Sequence, residues 1–408
     1  MYETAGIDLG TSFSSINVAE PGHGSFICIK VAHINTGTTL FSSVLSYLDD
    51  GSEKFAFEAE NNLKYSPKNF IKRAKRYFVE KVELDEKDNI HLINERTVFK
   101  IGNEDIVVEE AINRLLTNLF AILLQNYPKA KNVVITAPVN YPEEYKSLLS
   151  EISRINGINL LKVINEPYAA AKAYFNSRNQ EINGTIMVVD FGAGTLDIAL
   201  LRILNSKVID KYFDGDPKLG GSDIDSIFYQ YIKDRLENRG YFIDSDKKQS
   251  IIKRKCIECK ETLSYLNSVE LGFSKMDDDD FIEISREEFN DLIRDLIEKC
   301  ISKMKQMVEE FKYNPQSIIL TGGSTMITLL RERIFGEFGI MPDFSFDPEF
   351  MVSKGAAIYA YHLYEKKKHM FFDNNLKVSK NIVMSRHKKH RKIKKSRKII
   401  KSFDHSSF

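Results

Sequence analysis

Cysteine is scarce in this chain, tryptophan is absent, and no hydrophobic run is long. The four cysteines among 408 residues, Cys28, Cys256, Cys259 and Cys300, make no disulfide framework for a chain of this size. Cys256 and Cys259 form a C-x-x-C, but the surrounding Ile251–Leu266 is helix-periodic and no second Cys/His pair stands nearby to complete a zinc site. They read as neighbours on one helix face. The longest apolar runs, such as Thr185–Val189 and Val133–Ala137, are strand-sized, against the roughly 20 residues a membrane-spanning helix needs. A first strand opening within a few residues of Met1 leaves no room for a secretory signal. These absences predict a cytoplasmic location, or a nuclear one through the basic C-terminal tail.

A net charge of +1 conceals an asymmetry: residues 1–365 carry 43 Lys/Arg against 55 Asp/Glu, whereas residues 366–408 carry 15 against 2. The acidic body, in a chain 43% hydrophobic and 28% charged, is long enough for two ordinary domains. The tail segment Arg386–Lys401 holds ten basic residues, no acid and no aromatic, so any nucleic-acid affinity there rests on phosphates and falls steeply with salt. Three uses stay open for it: a solvated tail, a nuclear-localisation signal, or contact with RNA, ribosome or an anionic membrane surface.

What is present is a duplicated turn. Ile7-Asp8-Leu9-Gly10-Thr11-Ser12 lies 182 residues, aspartate to aspartate, before Val189-Asp190-Phe191-Gly192-Ala193-Gly194-Thr195. Each follows one β-type apolar run and precedes another, Ser14–Ala19 and Leu196–Leu204, which predicts two tight hairpins. Glycine turns of this kind let backbone N–H groups approach phosphate oxygens; the hydroxyls of Thr11, Ser12 and Thr195 add donors, and Asp8 and Asp190 can face a hydrated metal. A single copy would be an ordinary hairpin. Recurrence at a domain-length interval predicts two similar halves on either side of a nucleotide cleft.

Coarse periodicity gives a mixed α/β layout in both halves. In the first, strands Ala5–Asp8 and Ser14–Ala19 precede a charged stretch, then strand Val133–Ala137, helix Glu143–Asn156, strand Lys162–Ile164 and a helix from Glu166. The second repeats the plan with strands Thr185–Asp190, Thr195–Leu204, Val208–Asp214 and Ser317–Thr321, then helices Thr325–Phe338 and Glu349–Tyr364. The expected boundaries are residues 1–183 and 184–365 for the halves, with insertions near 34–108 and 224–304, and 366–408 for the tail. The run Asp277–Asp280 reads as a solvated hairpin loop between strands Val269–Phe273 and Phe281–Ile284.

From about Ala5 to Leu363 these motifs resemble the nucleotide-binding domain of the seventy-kilodalton heat-shock chaperones, within the actin-like ATPase superfamily. Gly6–Ser12 is similar to the first phosphate loop, Ala74-Lys75-Arg76 to the catalytic-lysine segment, and Ile164-Asn165-Glu166-Pro167 to the start of the connecting helix. Asp190–Asp197 resembles the second phosphate loop, Gly215–Gly221 the family's glycine loop, and Thr321-Gly322-Gly323-Ser324-Thr325 the adenosine loop. The resemblance implies an actin-like, ribonuclease H-like fold with four subdomains around a central cleft, and Mg-ATP as cofactor. Asp8 and Asp190 would hold Mg2+ through water. Gly10, Thr11, Ser12, Gly192, Ala193, Gly194, Gly220 and Gly221 would cradle the phosphates. Lys75 would neutralise the γ-phosphate, and Glu166, Thr195 and Asp197 would orient the attacking water. Lys260, Ser264, Gly322, Gly323, Ser324, Met326 and Glu349 fall at nucleoside-contacting positions.

The departures gather on the base side. Ile257 stands where the family has a ribose-binding glutamate, while Glu261 and Met326 stand at the two adenine-covering arginines and Glu349 replaces an aspartate. Each lost arginine–base stack is worth about 1–2 kcal/mol, so adenosine affinity would fall roughly 10- to 1000-fold unless apolar contact makes it good. Lys146 and Lys162 replace arginines that couple the family's domains and contact its J-proteins. The 45 residues after Leu363 are too few for a client-binding β-sandwich of roughly 100 residues. The expectation is a chaperone-like Mg-ATPase of slow turnover, partnered by other chaperones or co-chaperones. The alternative is a catalytically weak nucleotide-dependent binding module of the co-chaperone or exchange-factor type. Nothing in the sequence recommends a third possibility, an actin-like filament.

Overall fold

The computed structural model of the chain describes residues 2–23, 25–63, 69–80, 84–85, 90–93, 96–178, 181–272 and 281–369. Packing divides the chain into Met1–Tyr361 and His362–Phe408. In the second unit residues 362–369 are helical; the basic segment Arg386–Lys401 lies outside the described residues, as does Asp277–Asp280 of the first unit.

Two sheets organise the first unit, and each is built from a hairpin to which later strands add in parallel. In one, the hairpin Thr4–Asp8 and Phe13–Pro21 pairs antiparallel, and Asn132–Ala137 runs parallel to Thr4–Asp8 with Asn159–Asn165 beyond it. Phe26–Lys30 forms the opposite edge, and Leu40–Ser42 adds to Phe13–Pro21. In the other, Gly184–Phe191 and Leu196–Leu204 form the hairpin, Lys207–Asp216 continues it, and Ser317–Thr321 lies parallel to Gly184–Phe191. The apolar strands carry no in/out alternation: every residue from Thr185 to Phe191 is buried, as a sheet covered on both faces requires. The chain is therefore mixed α/β, as the periodicity predicts.

Each sheet has its own hydrophobic core. Ile7, Ile16, Ile135, Leu149 and Leu119 belong to one, and Val189, Ile198, Phe228, Ile297 and Leu320 to the other. Cys256, Cys259 and Cys300 are buried in the second core, where loss of solvent pushes each thiol up to about 12 and keeps it protonated.

Three sequence expectations change here. Residues 34–108, which read as a charged stretch, contain eight short strands among the described residues, the longest being Arg96–Ile101, and the helices Ala56–Leu63 and Ala74–Tyr77. The helix Val108–Asn126 is a second addition; its buried Val108, Ala111, Ile112, Leu115, Leu116 and Leu119 close the first core. Beyond Ser317–Thr321 the helix does not start at Thr325: a 3-10 turn, Gly323–Met326, precedes Thr328–Phe338, with Ile327 extended between them.

A helix beginning at residue 351 closes the first unit by returning to its first strands. The Ser353 hydroxyl lies 2.7 Å from that of Ser15 and accepts from Asn17 Nδ2 at 2.8 Å. Two glycines let backbones touch: a Cβ on Gly6 would fall 2.1 Å from Ala357 N, and one on Gly355 would fall 1.7 Å from Ala169 O.

Candidate active site

The chemistry-bearing residues stand at the strand ends that the two hairpin turns share. Asp8 ends strand Thr4–Asp8, and Asp190 and Asp197 are directly paired across the second hairpin. Glu166 opens the helix Glu166–Ser177 where strand Asn159–Asn165 stops, and Lys75 comes from the short helix Ala74–Tyr77. Lys75, Glu166, Asp190, Asp197 and Thr195 are all buried.

Their contacts make one cluster. Lys75 Nζ donates to Glu166 Oε1 at 2.5 Å, and Tyr141 OH donates to the Lys75 carbonyl at 3.0 Å. Thr136 Oγ1 donates to Asp8 Oδ1 at 2.9 Å, and the Val139 N–H donates to Asp197 Oδ1 at 2.5 Å. Asp197 Oδ2 is buried with no partner among the described residues.

Four carboxylates thus surround the Lys75 ammonium, and the electrostatics follow. Burial would lower Lys75, but Glu166 and, more weakly, Asp8 overcome it and hold the amine protonated well above its usual range. Burial raises Glu166 far above the carboxylate range against the pull of Lys75, with Asp8, Asp197 and Asp190 adding to the rise. Asp190 is raised by burial and then by Asp197 and Asp8; Asp8 is raised by burial against Lys75 and Thr136. Asp197 goes up to about 6, burial outweighing the Val139 and Thr195 hydrogen bonds. Fully ionised, the site has more negative charge than Lys75 neutralises, a surplus that a cation would offset. Among the described residues no three carboxylate, histidine or cysteine side chains converge as direct metal ligands.

The glycine turns meet beside this cluster. A Cβ on Gly194 would lie 2.4 Å from Thr11 Oγ1, which brings the two hairpin turns into contact. One on Gly220 would lie 2.5 Å from Ala193 O, and one on Gly221 would lie 2.5 Å from Ser324 Oγ. Ser324 Oγ donates to Gly192 O at 2.9 Å, and the N–H groups of Gly221 and Ser222 donate to the carbonyls of Gly192 and Ala193 at 3.0 and 2.7 Å. Gly322 has φ 85°, and a side chain there would strike Asp190 Oδ1 at 2.6 Å. Among the described residues the N–H groups of Thr11, Ala193 and Gly194 have no acceptor within the chain, so they are free to bind an anion. Gly10, Ser12 and Gly323 lie on these same turns, although a Cβ on Gly323 would meet nothing within 4 Å.

Comparison with known proteins places the chain in a family. A family profile described as "Hsp70 protein" matches residues 4–404. The chain belongs to the Hsp70 family. Curated relatives include the chaperone protein HscA of Escherichia coli O139:H28, 29% identical over 371 residues that cover 87% of this chain and 57% of the relative. HscA of Shigella boydii serotype 18 is 28% identical over 374 residues with the same coverage. The chain spans little more than half the length of these relatives. Its α/β sheets are those of the Hsp70 actin-like ATPase fold.

The residues expected on the base side engage neighbours within the chain. Lys260 is committed to Asp225 of helix Gly221–Asn238, at 2.6 Å. Ser264 caps helix Asp246–Leu263, and its carbonyl receives the Thr328 hydroxyl at 3.5 Å. Glu261 is close enough to enter the electrostatic environment of Glu349; burial first, then Asp347 and Glu261, raise Glu349. Met326 ends the 3-10 turn, and its carbonyl accepts from Arg331 Nη2 at 3.2 Å. An open cavity of about 440 Å³ lined by Arg178, Asn183, Gln316 and Met341 lies elsewhere, at the start of strand Ser317–Thr321 and away from the turns after its end.

Some members of the cluster carry no sequence signal. Thr136, Val139 and Tyr141 act through one hydroxyl, one backbone N–H and one phenol, and belong to none of the motifs. Their place beside the carboxylates comes from strand Asn132–Ala137 lying parallel to Thr4–Asp8.

Proposed function

We propose that this Hsp70-family chain binds Mg-ATP where the glycine turns meet, hydrolyses it slowly to ADP and phosphate, and acts in protein folding as a chaperone or chaperone partner. The observation that carries the reading is the convergence of four carboxylates and one buried lysine beside two glycine turns in which the N–H groups of Thr11, Ala193 and Gly194 have no acceptor among the described residues. Thr11, Ser12, Ala193 and Gly194 supply donors to the β- and γ-phosphates. Gly10, Gly192, Gly220 and Gly221 keep side chains out of their path. Asp8 and Asp190 would hold hydrated magnesium, which, when bound, offsets charge on the phosphates and on the acidic cluster.

Lys75 remains charged through the reaction and lies against the charge that develops on the transferring phosphoryl oxygens. Glu166 orients Lys75 through their 2.5 Å contact. Asp197, with one oxygen fixed by Val139 N–H and the other unpaired, and Thr195 beside it are suited to hold the attacking water by its protons. Co-chaperones are the expected partners, and the cytoplasm the expected location.

Phosphate release from ATP tests the roles directly. Lys75→Ala and Asp190→Ala should each abolish it; wild-type turnover in both would refute the assignment. The furnishing of the base side favours a second reading, a module that binds nucleotide without turnover. Calorimetric titration with ATP and ADP distinguishes the two: the module binds weakly, or binds without releasing phosphate.

A further inference from the structure

Arg76 adjoins Lys75 in the helix Ala74–Tyr77, which the chain enters through Arg73 in the left-handed region at φ 55°. Its side chain is buried, with Nε donating to Glu80 Oε2 at 2.5 Å and Nη1 and Nη2 donating to the two carboxylate oxygens of Asp223 at 3.1 and 2.7 Å. Asp223 has a second task. As the third residue of helix Gly221–Asn238, it accepts the Gly220 N–H on Oδ2 at 2.8 Å. Gly221 and Ser222 in turn bond Gly192 and Ala193. An unbroken run of hydrogen bonds therefore leads from the Lys75 turn, through Arg76 and Asp223, to the second glycine turn.

The two ends of this run are anchored in different cores. Ala74 and Tyr77 pack in the first, Ile224 and Phe228 in the second. A guanidinium that grips both oxygens of one carboxylate while bonding a second acid fixes orientation as well as distance, which a lysine at that position could not do. The Gly192–Gly194 turn is held by bonds from Gly221, Ser222 and Ser324, all on the same side as the second core; where Lys75 stands relative to it depends on what joins the two cores.

We propose that Arg76 is a positioning residue: its two-point clasp on Asp223 holds Lys75 in register with the Gly192–Gly194 turn, so turnover depends on it far more than nucleotide affinity does. The proposal rests on the ATPase reading above, and its test is built to fail separately from that reading.

Single-turnover hydrolysis and nucleotide titration are compared for wild type, R76A, R76K, D223N, R76A/D223N and E80Q. In D223N the amide oxygen can still accept the Gly220 N–H, so that variant removes the clasp and keeps the cap. R76A, R76K and D223N should each lower the hydrolysis rate about 10- to 100-fold, the cost of a displacement near 1 Å, with the nucleotide Kd changed less than about threefold. The double variant should be no slower than the slower single, and E80Q, which touches only the Lys75 side, should stay within about twofold of wild type.

Hydrogen–deuterium exchange on the ADP-bound protein should show residues 74–80 and 220–223 losing protection together in R76K. Wild-type rates in R76A, multiplying losses in the double variant, affinity falling in step with rate, or E80Q as slow as R76A would each overturn the proposal. Should R76A fail to fold, R76K and D223N decide by the same criteria. If wild type itself releases no phosphate, the ATPase reading fails and exchange alone decides: unchanged protection of 220–223 in R76K overturns the clasp.

Discussion

Replacing Asp197 by asparagine should stabilise the nucleotide-free protein while removing its activity. Asp190 and Asp197 are cross-strand partners, both buried, and like charges set directly opposite each other repel. The folded-state pKa of Asp197 is raised from 3.8 to about 6, so its ionised form is disfavoured in the fold. Two pH units correspond to a ceiling of about 3 kcal/mol. Removing one charge lets its neighbours ionise more readily, which brings the expected gain to about 1–2 kcal/mol.

The sign follows from the direction of the shift. Below about pH 4 the carboxyl is protonated in both folded and unfolded chains and costs nothing; as pH rises from there to about 6 the penalty grows, and above that it is constant. In D197N the amide oxygen can keep the Val139 hydrogen bond, and the amide nitrogen brings an N–H2 to the place where Oδ2 now has no partner. Thermal or urea unfolding between pH 5 and 8 should show D197N ahead by about 2 °C at pH 7.5, the lead shrinking toward pH 5. Magnesium with ADP should narrow the gap by stabilising the wild type more. A variant equal to or less stable than wild type at pH 7.5, or a lead independent of pH, would refute the account.

Gly194→Ala sets a methyl 2.4 Å from Thr11 Oγ1. It should weaken nucleotide binding about 10-fold or more by forcing the two turns apart, with far-ultraviolet circular dichroism unchanged, and isothermal titration with ADP checks it. Gly355→Ala places its methyl 1.7 Å from the Ala169 carbonyl, a backbone atom that cannot swing aside. That substitution should cost about 3 kcal/mol or more, read as a lower urea midpoint.

Much of this molecule is legible in its sequence, for physical reasons that also mark the limits. The strands Thr4–Asp8, Gly184–Phe191 and Ser317–Thr321 are five residues or longer, apolar at their centres and followed by glycine turns, and strand Ser317–Thr321 falls where the periodicity puts it. The strands of residues 34–108 are mostly two to four residues long, too short for alternation to register. Helix Val108–Asn126 is a different kind of miss. Its apolar residues recur at helical spacing, a visible signal hidden only by its place between the charged insertion and the strand after it.

At the site, Lys75, Glu166 and the aspartates stand in motifs that their neighbours announce. Arg76 stands in one too, but its partner Asp223 is 147 positions away, and nothing local says the two meet. Val139 contributes a backbone N–H, which no residue type signals.

The closing helix has a consequence for synthesis. Ser15 meets Ser353 across 338 positions of chain, and Gly6 has the backbone of Ala357 as its neighbour. A nascent polypeptide must therefore carry an uncovered first sheet while the 338 positions between these serines are made, its earliest strands waiting for a distant lid. Such long-range closure makes maturation slow and leaves the growing chain open to aggregation, so a protein of a chaperone family would itself depend on protection while it is being made.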